Sequence, residues 1–152
     1  MFISRIILPI LRNGIAENMG SINSKIQYWT EIAEYDLTTA EAMLETKRYL
    51  YVGFMCHQAI EKILKAVYVT KFHGEMPPYT HRLMKLSLVT DLYDKMTQDQ
   101  RDLIDSLGPL DIEARYPTIK RDLSPSLDHD RCIHFITQTK GLLHWIKQQL
   151  PI

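Results

Sequence analysis

The run Tyr51-Val-Gly-Phe-Met-Cys-His-Gln-Ala-Ile-Glu-Lys-Ile-Leu-Lys-Ala-Val-Tyr68 contains no proline and a single glycine, and its polar positions recur at helical spacing. It reads as one long helix. On a helical wheel Gln58, Glu61, Lys62 and Lys65 fall together at i, i+3, i+4 and i+7, while Val52, Cys56, Ala59, Ile60, Ile63, Leu64, Ala66 and Val67 cover most of the remaining surface. Such a helix has to be buried on more than one side, so the rest of the chain must wrap it. The polar strip is then either an ordinary solvated face or a set of groups beside packed surface that need partners, from a neighbouring helix or a ligand.

The flanking sequence sets the fold class. Asn23 or Ser24 can cap a helix running to about Thr46, with Trp29, Ile32, Ala33, Leu37, Ala40, Met43 and Leu44 as its apolar stripe and Asp36 on the stripe's edge. Residues 47–50 make a tight connection, which places that helix antiparallel to the central one. The central helix continues to about Phe72, and Gly74, Pro77 and Pro78 end it in a loop. Thr80 is placed to cap a short helix carrying Leu83, Met84, Leu86, Leu88 and Val89, with His81 in its first turn. Thr97 and Gln100 have capping-box spacing ahead of Leu103, Ile104 and Leu107, and Gly108–Pro109 is expected to stop that helix. Residues 110–127 show little periodicity and read as a long loop. A last helix, starting near Ser126 or Asp128, turns Cys132, Ile133, Phe135, Ile136, Leu142, Leu143 and Ile146 inward. With no credible strand, the expectation is an all-α, up-and-down bundle of about five helices.

Composition narrows the function classes. The 152 residues, 45% hydrophobic, fit one domain with a sizeable core, and the 18 basic and 18 acidic side chains cancel. There is no global field to draw the chain onto nucleic acid or an anionic membrane. Cys56 and Cys132 lack metal or redox spacing and read as buried thiols in a reducing cytoplasm. No glycine-rich phosphate loop or paired-histidine metal motif is present, so neither a cofactor nor a metal is expected. Residues 1–21 carry Ile3, Ile6, Ile7, Ile10 and Leu11 on one helical face interrupted by Pro9, too short a run to span a bilayer. They read as an amphipathic appendage, or an upstream extension with Met19 as an alternative start, ahead of a domain at 22–150; a secretory leader is the other option.

The polar segment Arg115-Tyr-Pro-Thr-Ile-Lys-Arg121 has cations suited to phosphates and, in Tyr116, a ring suited to stacking on a base, which leaves a nucleotide or RNA open as a ligand. Asp111, Glu113 and Asp122 beside it suit internal ion pairs equally well. This segment completes a pattern. The string His57-Gln-Ala-Ile-Glu-Lys-Ile-Leu-Lys-Ala66, preceded by Tyr35-Asp-Leu-Thr-Thr-Ala-Glu41 and followed by Pro77-Pro-Tyr-Thr-His81 and Ala114-Arg-Tyr-Pro117, resembles the HEPN family of small helical domains over roughly Ile22 to Gln149.

That resemblance implies that Asp36 pairs with Lys62 or Lys65, and that Arg115 and Tyr116 lie near a groove lined by the central helix, with Gln58, Glu61, Lys62, Lys65 and His81 around it. It also implies a binding module whose partner is a minimal nucleotidyltransferase in a toxin–antitoxin-like or nucleotide-related system. The unpaired cysteines suit a cytoplasmic protein, and the apolar surface of the central and last helices, more than one small bundle covers, makes a homodimer the expectation. Some HEPN relatives are metal-independent ribonucleases with an Arg and a His four to six residues apart, a pair able to polarise a phosphodiester and move a proton. Here Arg121 and His129 have seven residues between them, Arg48 and His57 eight, and Arg131 and His134 two. The formal motif is absent. Arg121 and His129 remain the candidates for a ribonuclease of non-standard spacing, and Lys62, Lys65 and Arg115 for a nucleotide-phosphate site.

Overall fold

The computed structural model describes residues 2–116 and 127–152, with side chains for 20–111, 116 and 127–152. Five α-helices account for most of them: α1 (Phe2–Glu45), α2 (Tyr49–Lys71), α3 (Leu83–Val89), α4 (Gln98–Arg115) and α5 (His129–Lys147), with a 3-10 turn at Tyr93–Lys95. No strand occurs among the described residues. The all-α bundle is as expected.

Its centre is α2, where 15 of 23 residues are buried and against which each of the other four α-helices packs. The turn into α2 is tight because Lys47 takes a left-handed conformation (φ 59°) while the Arg48 N–H donates to Met43 O at 2.7 Å. That reversal lays α1 antiparallel on α2. At the far end Gly74, at φ +91°, donates to Val69 O at 2.9 Å, and its own carbonyl accepts from Lys25 Nζ of α1 at 2.8 Å. A β-carbon on Gly74 would stand 2.9 Å from Ile22 Cγ1, so glycine is required there for close approach as well as for conformation. Ion pairs Lys140–Glu41 and Lys147–Glu34 set α5 antiparallel to α1. Cys56 and Cys132 are free and buried, with burial pushing the first thiol up to about 12 and the second to about 11.

Four local expectations are corrected. The cap at Asn23 or Ser24 does not exist, because α1 runs unbroken through Pro9 and Ser24 Oγ instead donates to Gly20 O at 2.9 Å inside the helix. Thr80 does not cap α3: three residues before the helix, it accepts from Arg82 N at 3.3 Å, so His81 lies in the approach to α3 rather than in its first turn. Gly108–Pro109 does not end α4, whose Thr97–Gln100 capping box does form. A proline removes one backbone hydrogen bond. Here the turns beyond it are held by tertiary packing, since Leu110 sits so close to α2 that a β-carbon on Gly53 would fall 2.6 Å from Leu110 Cδ1. The expected loop therefore begins at Tyr116, and residues 117–126 lie outside the described residues. Finally, Ile133 is exposed on α5 while the other expected inward residues of that helix are buried. Asp128 caps α5 by accepting from Arg131 N at 2.8 Å.

Candidate functional site

The polar strip of α2 is not solvated. Glu61 is 1% exposed, Lys65 and Gln58 are buried, and Lys62 keeps only a minor part of its side chain in water. A carboxylate at that depth needs partners. Glu61 has them on both oxygens: Oε1 accepts from Lys65 Nζ at 2.7 Å, with Lys62 Nζ at 3.8 Å, and Oε2 accepts from His81 Nδ1 at 3.0 Å. Burial alone pushes the Glu61 carboxyl up, but the hydrogen bonds from Lys65 and His81 together with the nearby Lys62 charge outweigh it, and its pKa lies below the ordinary value. Lys65 Nζ also stands 5.4 Å over the Trp29 ring, so the same ammonium ties α2 to α1.

One turn earlier, Gln58 Nε2 donates to Asp111 Oδ1 on α4 at 3.1 Å, and Gln58 Oε1 accepts from Lys62 Nζ at 2.7 Å. Between these pairs sits His57, fully buried. Its Nε2 lies 3.0 Å from the carbonyl of His81, and since a carbonyl only accepts, Nε2 carries the proton. Nδ1 is left as a lone pair 3.8 Å from Asp111 Oδ1 and 3.9 Å from Glu61 Oε2, without a hydrogen-bond partner among the described residues. Burial lowers the His57 pKa more than Asp111 and Glu61 raise it, so the ring is held neutral. Two histidines from different segments are thus clasped together, His57 by the backbone of His81 and His81 by the carboxylate of Glu61.

The described part of the site is thus a central helix carrying His57, Gln58, Glu61, Lys62 and Lys65 and a proline-rich approach ending in His81, joined through His57 and Glu61. A family model described as HEPN domain matches residues 26–149. The chain belongs to the HEPN domain family. The crystal structure of TT1696 from Thermus thermophilus is similar in fold, with a TM-score of 0.68 at 20% identity, over 83% of this chain and 98% of that one. No curated protein matches significantly.

Beside the strip of this HEPN domain opens a cleft of about 650 Å³ between the approach to α3 and the outer side of α4, with Tyr79, His81, Met84, Ile104, Asp105 and Asp111 among its lining. His81 lines this cleft while its Nδ1 donates to Glu61. Tyr79 stands almost fully exposed at the rim, with its ring edge-on to His81 at 5.7 Å. The remaining site expectations fare differently. Asp36 is half-buried and feels the Lys62 charge, yet no ion pair within 4 Å joins it to Lys62 or Lys65, and burial raises its pKa. Lys65 is turned to Glu61 of its own helix instead. Arg115 is the last residue of α4 and its side chain lies outside the described residues; Tyr116 follows it, exposed. Arg121 also lies outside them. His129 opens α5 with its ring 6.3 Å from Tyr49, at the start of α2. Glu61 is twelve residues further along α2, about 18 Å of helix away.

Sequence reasoning passed over His57 and Asp111. The signal for His57 was its position one turn before Glu61, on the same face. In sequence Asp111 reads only as a loop acid suited to an internal ion pair, because its place beside Gln58 depends on α4 continuing past Pro109. Among the described residues no group of His, Cys, Asp and Glu side chains has a metal-holding arrangement, and no helix is long and apolar enough to cross a membrane.

Proposed function

We propose that this HEPN domain is a cytoplasmic binding module rather than a catalyst, homodimeric, and the partner of a minimal nucleotidyltransferase in a toxin–antitoxin-like or nucleotide-related system. One observation carries the reading: the charged groups of the α2 strip are engaged by one another, with Lys65 and His81 on Glu61, Lys62 on Gln58, and Gln58 on Asp111. Lysines held this way are poor receptors for a phosphate, which would have to displace a buried carboxylate from its partners. The strip therefore acts as a brace, and recognition falls to the outer surface.

The test is co-purification. The tagged chain is expressed together with the product of the adjacent reading frame of its own genome, and the eluate is sized by light scattering. A stoichiometric complex containing a short nucleotidyltransferase and two copies of this chain is expected. A monomer with no associated nucleotidyltransferase, or micromolar binding of a nucleotide that depends on Lys62 and Lys65, would overturn the proposal.

A further inference from the structure

Resting on that reading of the domain as a binding module, we infer that the outer face of α3 is its docking surface and that it takes an amphipathic helix with an acidic edge from a partner protein. Leu83 and Leu86 of α3 face inward and are buried. Met84 and Leu88, one helical turn apart, are instead turned outward and exposed. Met84 and Arg82 line both the cleft beside His81 and a second cleft of about 530 Å³ over Leu88 and Val89, so the two adjoin along α3. Exposed apolar surface beside two adjoining clefts, with methionine, tyrosine and arginine at their edge, has the composition of an interface core rather than of ordinary surface.

The charges on the walls choose the occupant. Arg82 borders both clefts and Lys85 the second, and neither side chain makes a hydrogen bond or ion pair with another described residue. Lys140, Lys147 and Lys71 elsewhere on the surface are each paired with a carboxylate, whereas Arg82 and Lys85, like Lys47 and Lys95, have no ion pair among the described residues. A partner helix would set apolar residues one turn apart against Met84 and Leu88, and carboxylates along the edge that meets Arg82 and Lys85. Asp105, on the α4 wall of the first cleft, opposes an acid there and so fixes which edge of the incoming helix lies over α3. Tyr79 supplies an aromatic ring at one end, set edge-on to the His81 ring that Glu61 holds.

The probe is a display library of sixteen-residue amphipathic helices with fixed leucines on one face and Glu, Lys or Gln at the flanking positions, selected on the full chain. Survivors are expected to carry Glu along one edge, to shift the methyl resonance of Met84 but not that of Met43 on titration, and to lose about tenfold in affinity or more on Arg82→Glu/Lys85→Glu with an unchanged melting temperature. Survivors rich in Lys, survivors indifferent to the double substitution, an RNA oligonucleotide that displaces them, or no survivors at all would overturn the inference. The two proposals fail separately. A nucleotidyltransferase complex that forms equally well with the double variant sinks the docking surface alone, whereas acidic helices that bind α3 in the absence of any nucleotidyltransferase complex sink only the choice of partner.

Discussion

The strip of α2 and the outer face of α3 are neighbours with opposite chemistry. In the strip, charged groups are buried and matched, so the carboxylate of Glu61 is satisfied on both oxygens. On α3 the apolar side chains Met84 and Leu88 face water, and the cations beside them make no ion pair with another described residue. A buried matched charge gives little net attraction for a newcomer but costs much to break, while an exposed unmatched one costs little to remove and is available to a partner. The comparison assigns stability to the first region and recognition to the second.

The sharpest way to break it is Glu61→Ala. With its carboxylate gone, the buried Lys65 ammonium and the His81 ring lose their shared partner, and a loss of about 3–5 kcal/mol in urea unfolding is expected. Removing an exposed ion-pair partner instead, by Lys147→Ala, should cost less than about 1 kcal/mol. Equal losses would erase the distinction.

A smaller effect separates the two lysines. Lys65→Ala removes the 2.7 Å bond to Glu61, and about 2–3 kcal/mol is expected, since hydrogen bonds to charged groups are the stronger kind. Lys62→Ala removes a bond to Gln58 from a more exposed position and should cost about 1 kcal/mol or less. The reverse order in thermal melts would show that Lys62, and not Lys65, holds the carboxylate.

Titration sharpens the comparison in a different way. His57 has a folded pKa below its ordinary 6.5, so the unfolded chain takes up the proton first. Its contribution to stability is complete above about 6.5 and is drawn down as pH falls from there to the folded pKa, with a slope no steeper than about 1.4 kcal/mol per pH unit for one group. Glu61 acts lower: its pKa is depressed from 4.5, so its contribution is complete above that value and lost as pH falls through the folded pKa. Unfolding free energies between pH 4.5 and 7.5, for the unaltered chain and His57→Gln, should diverge, with the variant flatter. Parallel curves would place the His57 ring outside the buried cradle. The smallest effect is expected on α3, where Met84→Ser/Leu88→Ser should leave stability within about 0.5 kcal/mol while abolishing binding of the acidic helices. A large destabilisation there would mean that this face is part of the core.

Legibility followed the reach of the interactions. The course of α2, its polar strip, the capping box of Thr97 and the cap at Asp128 were readable because their determinants lie within one or two turns. The extension of α4 past Pro109 was not, since what holds it is Leu110 against Gly53 and Asp111 beside Gln58, contacts more than fifty residues away. Thr80 offered a hydroxyl at the right kind of position, and a local turn took it. Within the site, Gln58, Glu61, Lys62 and Lys65 were found from periodicity, and the part of His81 was found only through the family pattern. Its bond to Glu61 and the burial of His57 are products of the tertiary fold.

The claim that the strip is a brace is tested most directly by a double-mutant cycle on Glu61 and Lys65. Urea unfolding is measured for the unaltered chain, Glu61→Ala, Lys65→Ala and the double variant. A coupling energy of about 1–3 kcal/mol is predicted, with the double variant more stable than the sum of the single losses implies. Additive losses within about 0.5 kcal/mol, each single change costing less than about 1 kcal/mol, would contradict it.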